Sequence, residues 1–161
     1  MWVLKVRSNL MLTAISSDKI DISSEKKTED FAHKFLKKIK SGYIVFLYGE
    51  IGVGKTTFVR HLINGFQKEN KLRLTEVPSP TFNLCNEYQI KNIKINHYDL
   101  FRLKSESEAM SLNLFNGSSN IITLIEWPEI IKKRPNNLIE LVFEYEKDHK
   151  SRSVKIKGIS L

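Results

Sequence analysis

Apolar positions along this 161-residue chain follow two periods in turn, one helical and one alternating. Phe31, Phe35, Leu36 and Ile39 recur at helical spacing behind Ser23-Ser24-Glu25, an N-cap with a first-turn acid. They predict a helix over 24–40, ended by Gly42. Residues 43–48 read Tyr-Ile-Val-Phe-Leu-Tyr, a β-branched and aromatic run between Gly42 and Gly49 that predicts a buried strand. After Lys55, helical spacing returns in Phe58, Val59, Leu62, Ile63 and Phe66. Residues 78–82, Pro-Ser-Pro-Thr-Phe, predict a loop stiffened by two prolines. Segments 84–90 and 93–100 predict a hairpin around Lys91-Asn92, with Ile93, Ile95 and His97 alternating. Ser105 and Glu108 fit a capping box for a helix reaching about Phe115 and stopped at Gly117. The apolar run 121–125 leads into Glu126-Trp127-Pro128. Ile139, Leu141, Phe143 and Tyr145 alternate with Glu140, Glu144 and Glu146, a strand with one wet face, and Val154 and Ile156 make a last strand across a polar turn at 147–151.

This order predicts an α/β fold of three layers on a mixed sheet, with parallel strands in the core and antiparallel additions. The length suits one domain, residues 23–161, preceded by a strand or arm over 1–22. The single Cys85 rules out an internal disulfide framework and points to a reducing cytoplasm. Lys5 and Arg7 interrupt the apolar N-terminal stretch, which argues against a secretory signal, and no run is long enough to cross a bilayer. A net charge of +8 admits a nucleic-acid or acidic-protein partner without establishing either.

The chemistry concentrates at Gly49-Glu50-Ile51-Gly52-Val53-Gly54-Lys55-Thr56-Thr57, which matches the phosphate-loop pattern G-x-x-x-x-G-K-[ST]. A predicted strand precedes it and a predicted helix follows, the context the motif needs. Its backbone N–H groups would curl around a polyphosphate, Lys55 would reach the β- and γ-phosphates, and the Thr56 hydroxyl would ligate Mg²⁺. The helix N-terminus adds partial positive charge. Phosphate-loop proteins take a second metal contact from an acid at the end of a neighbouring strand. Glu126 ends the better apolar run and is the expected metal acid, direct or through water. Asp99 then becomes the candidate for positioning water or sensing the γ-phosphate. Thr81 reads either as a switch-type hydroxyl or as a turn residue bonded to its own backbone. Trp127 reads either as a stacking surface for a base or partner or as core. Lys132-Lys133-Arg134 and Arg152 read as solvated charge or as phosphate contacts. His61, on the phosphate-loop helix, is expected to be exposed. The helix start near Ser24 is a candidate cover for the nucleotide base.

Four segments occur in one order: the loop 49–57, Ser79-Pro80-Thr81-Phe82, His97-Tyr98-Asp99-Leu100-Phe101-Arg102-Leu103, and Ile125-Glu126-Trp127-Pro128. Together they resemble the TsaE (YjeE) family of small bacterial phosphate-loop ATPases over residues 24–157. The resemblance implies ATP and Mg²⁺ as cofactors and a role in threonylcarbamoylation of adenosine 37 in tRNAs reading ANN codons. It implies a partner complex of TsaB and TsaD, through which tRNA is met indirectly, and ATP turnover that is weak alone and raised by that complex. By position it assigns Lys55 and Thr56 to phosphate and Mg²⁺, Glu126 to Mg²⁺, Asp99 and Thr81 to the catalytic loop segments, and Trp127 to the Glu-Trp pair. A small-molecule kinase on the same scaffold is the alternative, with Lys132–Arg134 as a thin candidate lid. A GTP switch lacks its Asn-Lys-x-Asp reader, and a non-hydrolysing interaction module differs from the ATPase only in rate.

Overall fold

The computed structural model describes residues 15–115 and 119–161, with side chains from residue 18 onward. The expected helix stop at Gly117, and Lys5 and Arg7 of the N-terminal stretch, lie outside the described residues. In chain order the elements are β1 (Ile15–Asp21), α1 (Glu25–Leu36), β2 (Ile44–Tyr48), α2 (Lys55–Glu69), β3 (Cys85–Ile90), β4 (Ile93–Asp99), α3 (Glu106–Ser111), β5 (Ile121–Glu126), β6 (Leu138–Tyr145) and β7 (Arg152–Lys157), with a 3-10 turn at Pro128–Ile130.

The seven strands form one sheet in the order β1-β7-β6-β2-β5-β4-β3. β6, β2, β5 and β4 are mutually parallel, while β1, β7 and β3 join antiparallel at the two edges. A three-layer α/β fold with a parallel centre and antiparallel additions is therefore what the chain adopts. Period-two alternation assigns the two faces. Val45 and Leu47 of β2 point toward α1 and α2, with Leu124, Leu141 and Phe143 beside them. Ile44 and Phe46 point the other way, into a smaller core with Ile125, Ala109 of α3 and Ile131. No helix among the described residues is long and apolar enough to cross a membrane.

Local chemistry explains most element ends. Ser24 caps α1 by accepting from the Lys27 N–H, and Ser105 caps α3 by accepting from the Glu108 N–H. Glu108 reaches back to the Lys104 N–H at 2.7 Å, so the expected capping box closes one residue further out. Two helices are shorter than their periodicity suggests. α1 stops at Leu36 because the chain tightens there, with the N–H groups of Lys38 and Ile39 both on the Phe35 carbonyl, so that Ile39 can enter the core. α3 stops at Ser111, and Asn113 takes a left-handed φ of 55°. Residues between α2 and β3 form a long loop. Gln67 pins it by exchanging two hydrogen bonds with Thr75, at 2.8 and 3.1 Å, and Val77 is buried.

Phe58 locks the first helical turns to the sheet. Its ring lies 5.0 Å from Phe31, 5.4 Å from Phe35 and 5.8 Å from Phe143, joining α1, α2 and β6 in one aromatic cluster. We expect Phe58→Ala to lower the unfolding free energy by about 3–5 kcal/mol in urea denaturation, as for other buried aromatic truncations. A loss below about 1 kcal/mol would mean the cluster tolerates a cavity and does not couple these elements.

Candidate nucleotide-binding site

The site forms where three parallel strands end side by side. The register sets Leu47 of β2 opposite Glu126 of β5, and Glu126 opposite Asp99 of β4. The glycine loop leaves β2 at the same edge and runs into α2, so loop, carboxylates and helix N-terminus share the carboxyl ends of the strands, where open α/β sheets bind ligands.

Backbone conformation explains the glycines of the loop. Gly49 has φ 139°, and a Cβ there would lie 2.6 Å from the Phe143 carbonyl oxygen, so the close approach of the loop to β6 leaves no room for a side chain. Gly54 caps α2 with φ 115° and offers no side chain to the helix donors, which leaves the first-turn N–H groups available to an anion. Gly52 also has positive φ, at 77°. Val53 turns its side chain into the core, Glu50 faces solvent, and Thr56 and Thr57 stand at the pocket wall.

Lys55 is buried, and its ammonium donates to the carbonyls of Gly49 and Glu50, the latter at 2.9 Å. It also lies 4.0 Å from the centre of the Trp127 ring, within cation–π range. Burial pushes its pKa below the ordinary lysine value, opposed by the negative charges of Glu126, Glu129 and Asp99. Trp127 sits at φ 57°, with Phe101 4.8 Å away on the rim. Of the two readings of Trp127, the structure shows a half-buried ring at the pocket, supporting the lysine.

Thr56 donates its hydroxyl hydrogen to Glu126, with oxygen distances of 2.9 and 3.0 Å. Asp99 has a separate set of partners. Its Oδ2 accepts from the hydroxyls of Ser79 (2.8 Å) and Thr81 (3.0 Å), and its Oδ1 accepts from the Phe101 N–H (2.9 Å). The proline-stiffened loop is thus tied down at the pocket by Asp99, and the Thr81 hydroxyl is spent on that carboxylate rather than on its own backbone. The pocket, about 350 Å³, brings together Lys55, Thr56, Thr57, Thr81, Asp99, Glu126 and Trp127. A larger groove of about 670 Å³ between α1 and α2 contains no phosphate-loop residue, and its lining lysines, histidines and acids carry no chemistry of this kind.

Other candidates lie elsewhere. Lys132 pairs with Glu106 at 3.7 Å, Arg134 with Glu140 at 3.8 Å, and Lys133 lies over Phe115, so this cluster sits on the α3 side and is not part of the pocket wall. Arg152 donates to the Ser23 carbonyl at 3.1 Å and passes beside Gly54, 3.8 Å from where a Cβ would project. His61 is not exposed as expected. Its side chain is 18% accessible and Nε2 lies 3.1 Å from Glu25 of α1, because α1 packs along α2.

Three neighbours of the site lie in the segments shared with the family but carried no assigned role in the sequence. Ser79 bonds Asp99, Phe101 packs tilted against Trp127, and His97 lies 2.8 Å from Glu126. His97 left a signal, since it breaks the apolar parity of Ile93 and Ile95 two residues before Asp99. Large apolar side chains are also exposed here: Ile51 (75%) and Phe101 (53%) line the pocket, and Phe82 (84%) follows Thr81 on the proline-stiffened loop.

Comparison with known proteins places this geometry. Residues 22–154 match the family model described as threonylcarbamoyl adenosine biosynthesis protein TsaE. A Rickettsia bellii protein named tRNA threonylcarbamoyladenosine biosynthesis protein TsaE is 46% identical over 121 residues, 74% of this chain and 81% of that one. Proteins of the same name from Nostoc and Aquifex aeolicus are 34% and 32% identical, covering 90% and 84% of this chain and 88% and 92% of theirs. The crystal structure of Bacillus subtilis YdiB shares the fold, with a TM-score of 0.67 at 21% identity over 91% of this chain and 88% of that one. The phosphate loop, its flanking strand ends and these matches agree that the chain belongs to the TsaE family of tRNA threonylcarbamoyladenosine biosynthesis proteins.

Proposed function

We propose that this chain binds ATP with Mg²⁺ at residues 49–57 and hydrolyses it, slowly alone and faster with a TsaB–TsaD complex, in support of threonylcarbamoylation of adenosine 37 in tRNAs reading ANN codons. The observation that carries the reading is the Thr56–Glu126 hydrogen bond beside Lys55, at the end of a glycine loop whose helix donors are uncapped. A hydroxyl and a carboxylate are hard oxygen donors, the set that Mg²⁺ prefers, so the residues present fit the ion. Thr56 and Glu126 would hold it, and when bound it would neutralise phosphate charge. Lys55 would bind the β- and γ-phosphates. Asp99, with Thr81 and Ser79 bonded to it, would orient the attacking water. Trp127 would keep the Lys55 ammonium in place and present a ring to the nucleotide or partner. The apolar rim of Ile51, Phe82 and Phe101 supports a protein partner over the mouth. tRNA would be met through that partner. A small-molecule kinase finds no support in the geometry, because its candidate lid lies away from the pocket, with Lys132 and Arg134 beside acids and Lys133 over Phe115.

The test is ATP hydrolysis by the purified chain, alone and then with TsaB and TsaD. Strong stimulation by the pair supports the reading; turnover indifferent to them opposes it. Lys55→Ala should weaken ATP binding about 10- to 100-fold in calorimetry, the loss of one charge-assisted bond, with the circular dichroism spectrum unchanged. Wild-type affinity in that variant would remove the site from this loop. Glu126→Ala should shift the Mg²⁺ titration of ATP binding to higher concentration, and an unshifted titration would move the metal role to Asp99. Phe82→Asp should keep ATP binding and lose stimulation by TsaB–TsaD; full stimulation would place the partner elsewhere.

A further inference from the structure

We propose that His97 is a positioning residue that fixes the Glu126 carboxylate, and through it the orientation of the Thr56 hydroxyl, for the cation; this rests on the Mg²⁺–ATP reading above. His97 is fully buried and Glu126 is 2% exposed. The two stand on neighbouring parallel strands, and the register pairs His97 with Leu124, so the imidazole reaches diagonally toward the end of β5. Its Nε2 lies 2.8 Å from Glu126 Oε1, the oxygen that is also 2.9 Å from Thr56 Oγ1.

Proton counting orders this chain of atoms. A carboxylate only accepts, so the imidazole carries its hydrogen on Nε2 and the Thr56 hydroxyl gives its hydrogen to Glu126. A hydroxyl has one hydrogen. Once that is committed to Glu126, only the lone pairs of Thr56 remain, which is the arrangement a cation requires. Without the His97 donor, one Glu126 oxygen would lose a fixed partner and the carboxylate would be free to rotate away from Thr56.

The opposite nitrogen points to the same role. His97 Nδ1 is buried with no hydrogen-bond partner among the described residues. Leaving such a group unsatisfied is unfavourable, and an apolar side chain in this place would avoid it. Packing therefore does not account for an imidazole here, whereas the bond from Nε2 does. Histidines that act behind a metal ligand work this way, by orienting a group they do not replace.

The test compares His97→Leu, which removes the donor at similar volume, with His97→Gln, whose amide N–H can replace Nε2. ATP binding is measured by calorimetry across a Mg²⁺ titration and in EDTA. We expect His97→Leu to raise the Mg²⁺ needed for half-maximal enhancement about tenfold or more, to leave metal-free ATP affinity within about twofold, and to be largely rescued by His97→Gln. A wild-type Mg²⁺ titration in His97→Leu overturns the proposal, as does an equal loss with and without metal. Should His97→Leu fail to fold, ¹⁵N-histidine spectra of the unaltered protein decide: an Nε2–H tautomer is required, and an Nδ1–H tautomer overturns it. ATP binding by the wild type that ignores Mg²⁺ would instead fail the parent reading, and the proposal with it.

Discussion

The hydrogen bond between Thr56 and Glu126 ties the first turn of α2 to the end of β5, and the rest of the site is arranged around it. It joins the helix that follows the glycine loop to the strand beside β2. It also sets the distance between the helix N-terminus and the row of strand ends. Lys55 is the next residue back, so its ammonium is placed by the same constraint.

Such a site concentrates charge where solvent is scarce. Lys55, Asp99 and Glu126 are all at most 5% exposed. Buried ions are costly unless each is hydrogen-bonded. Here every one has polar partners. Lys55 takes two carbonyls and an aromatic face, Glu126 takes Thr56 and His97, and Asp99 takes two hydroxyls and a backbone N–H. The two acids do not share donors. One faces the loop and helix, the other faces the proline-stiffened segment, and the proposed metal-side and water-side roles rest on that division.

Much of this was readable in the chain. The strand before the glycine loop, the helix after it, the hairpin at Lys91-Asn92 and the capping at Ser24 and Ser105 each rest on short-range rules, and the structure has them in place. The helix ends were not readable, because Ile39 leaves α1 to serve a core contact that periodicity cannot see. His61 was misjudged for a related reason: its neighbour Glu25 belongs to another helix. His97 was visible as a polar interruption of an apolar face and as the first residue of the segment shared with the family, but nothing local says that it meets Glu126.

The sequence by itself determined the phosphate loop, its strand–loop–helix setting and the identity of the two candidate acids, because those depend on backbone freedom at glycine and on apolar periodicity within a few residues. Tertiary structure alone decided which groups meet. Strand order placed β5 between β2 and β4, bringing Glu126 under Thr56 and beside Asp99, and the register of β4 against β5 brought His97 to Glu126. The two hydrogen-bonded pairings, Thr56–Glu126 and His97–Glu126, join residues 70 and 29 positions apart, and their geometry follows from how the sheet is ordered, which no local pattern encodes.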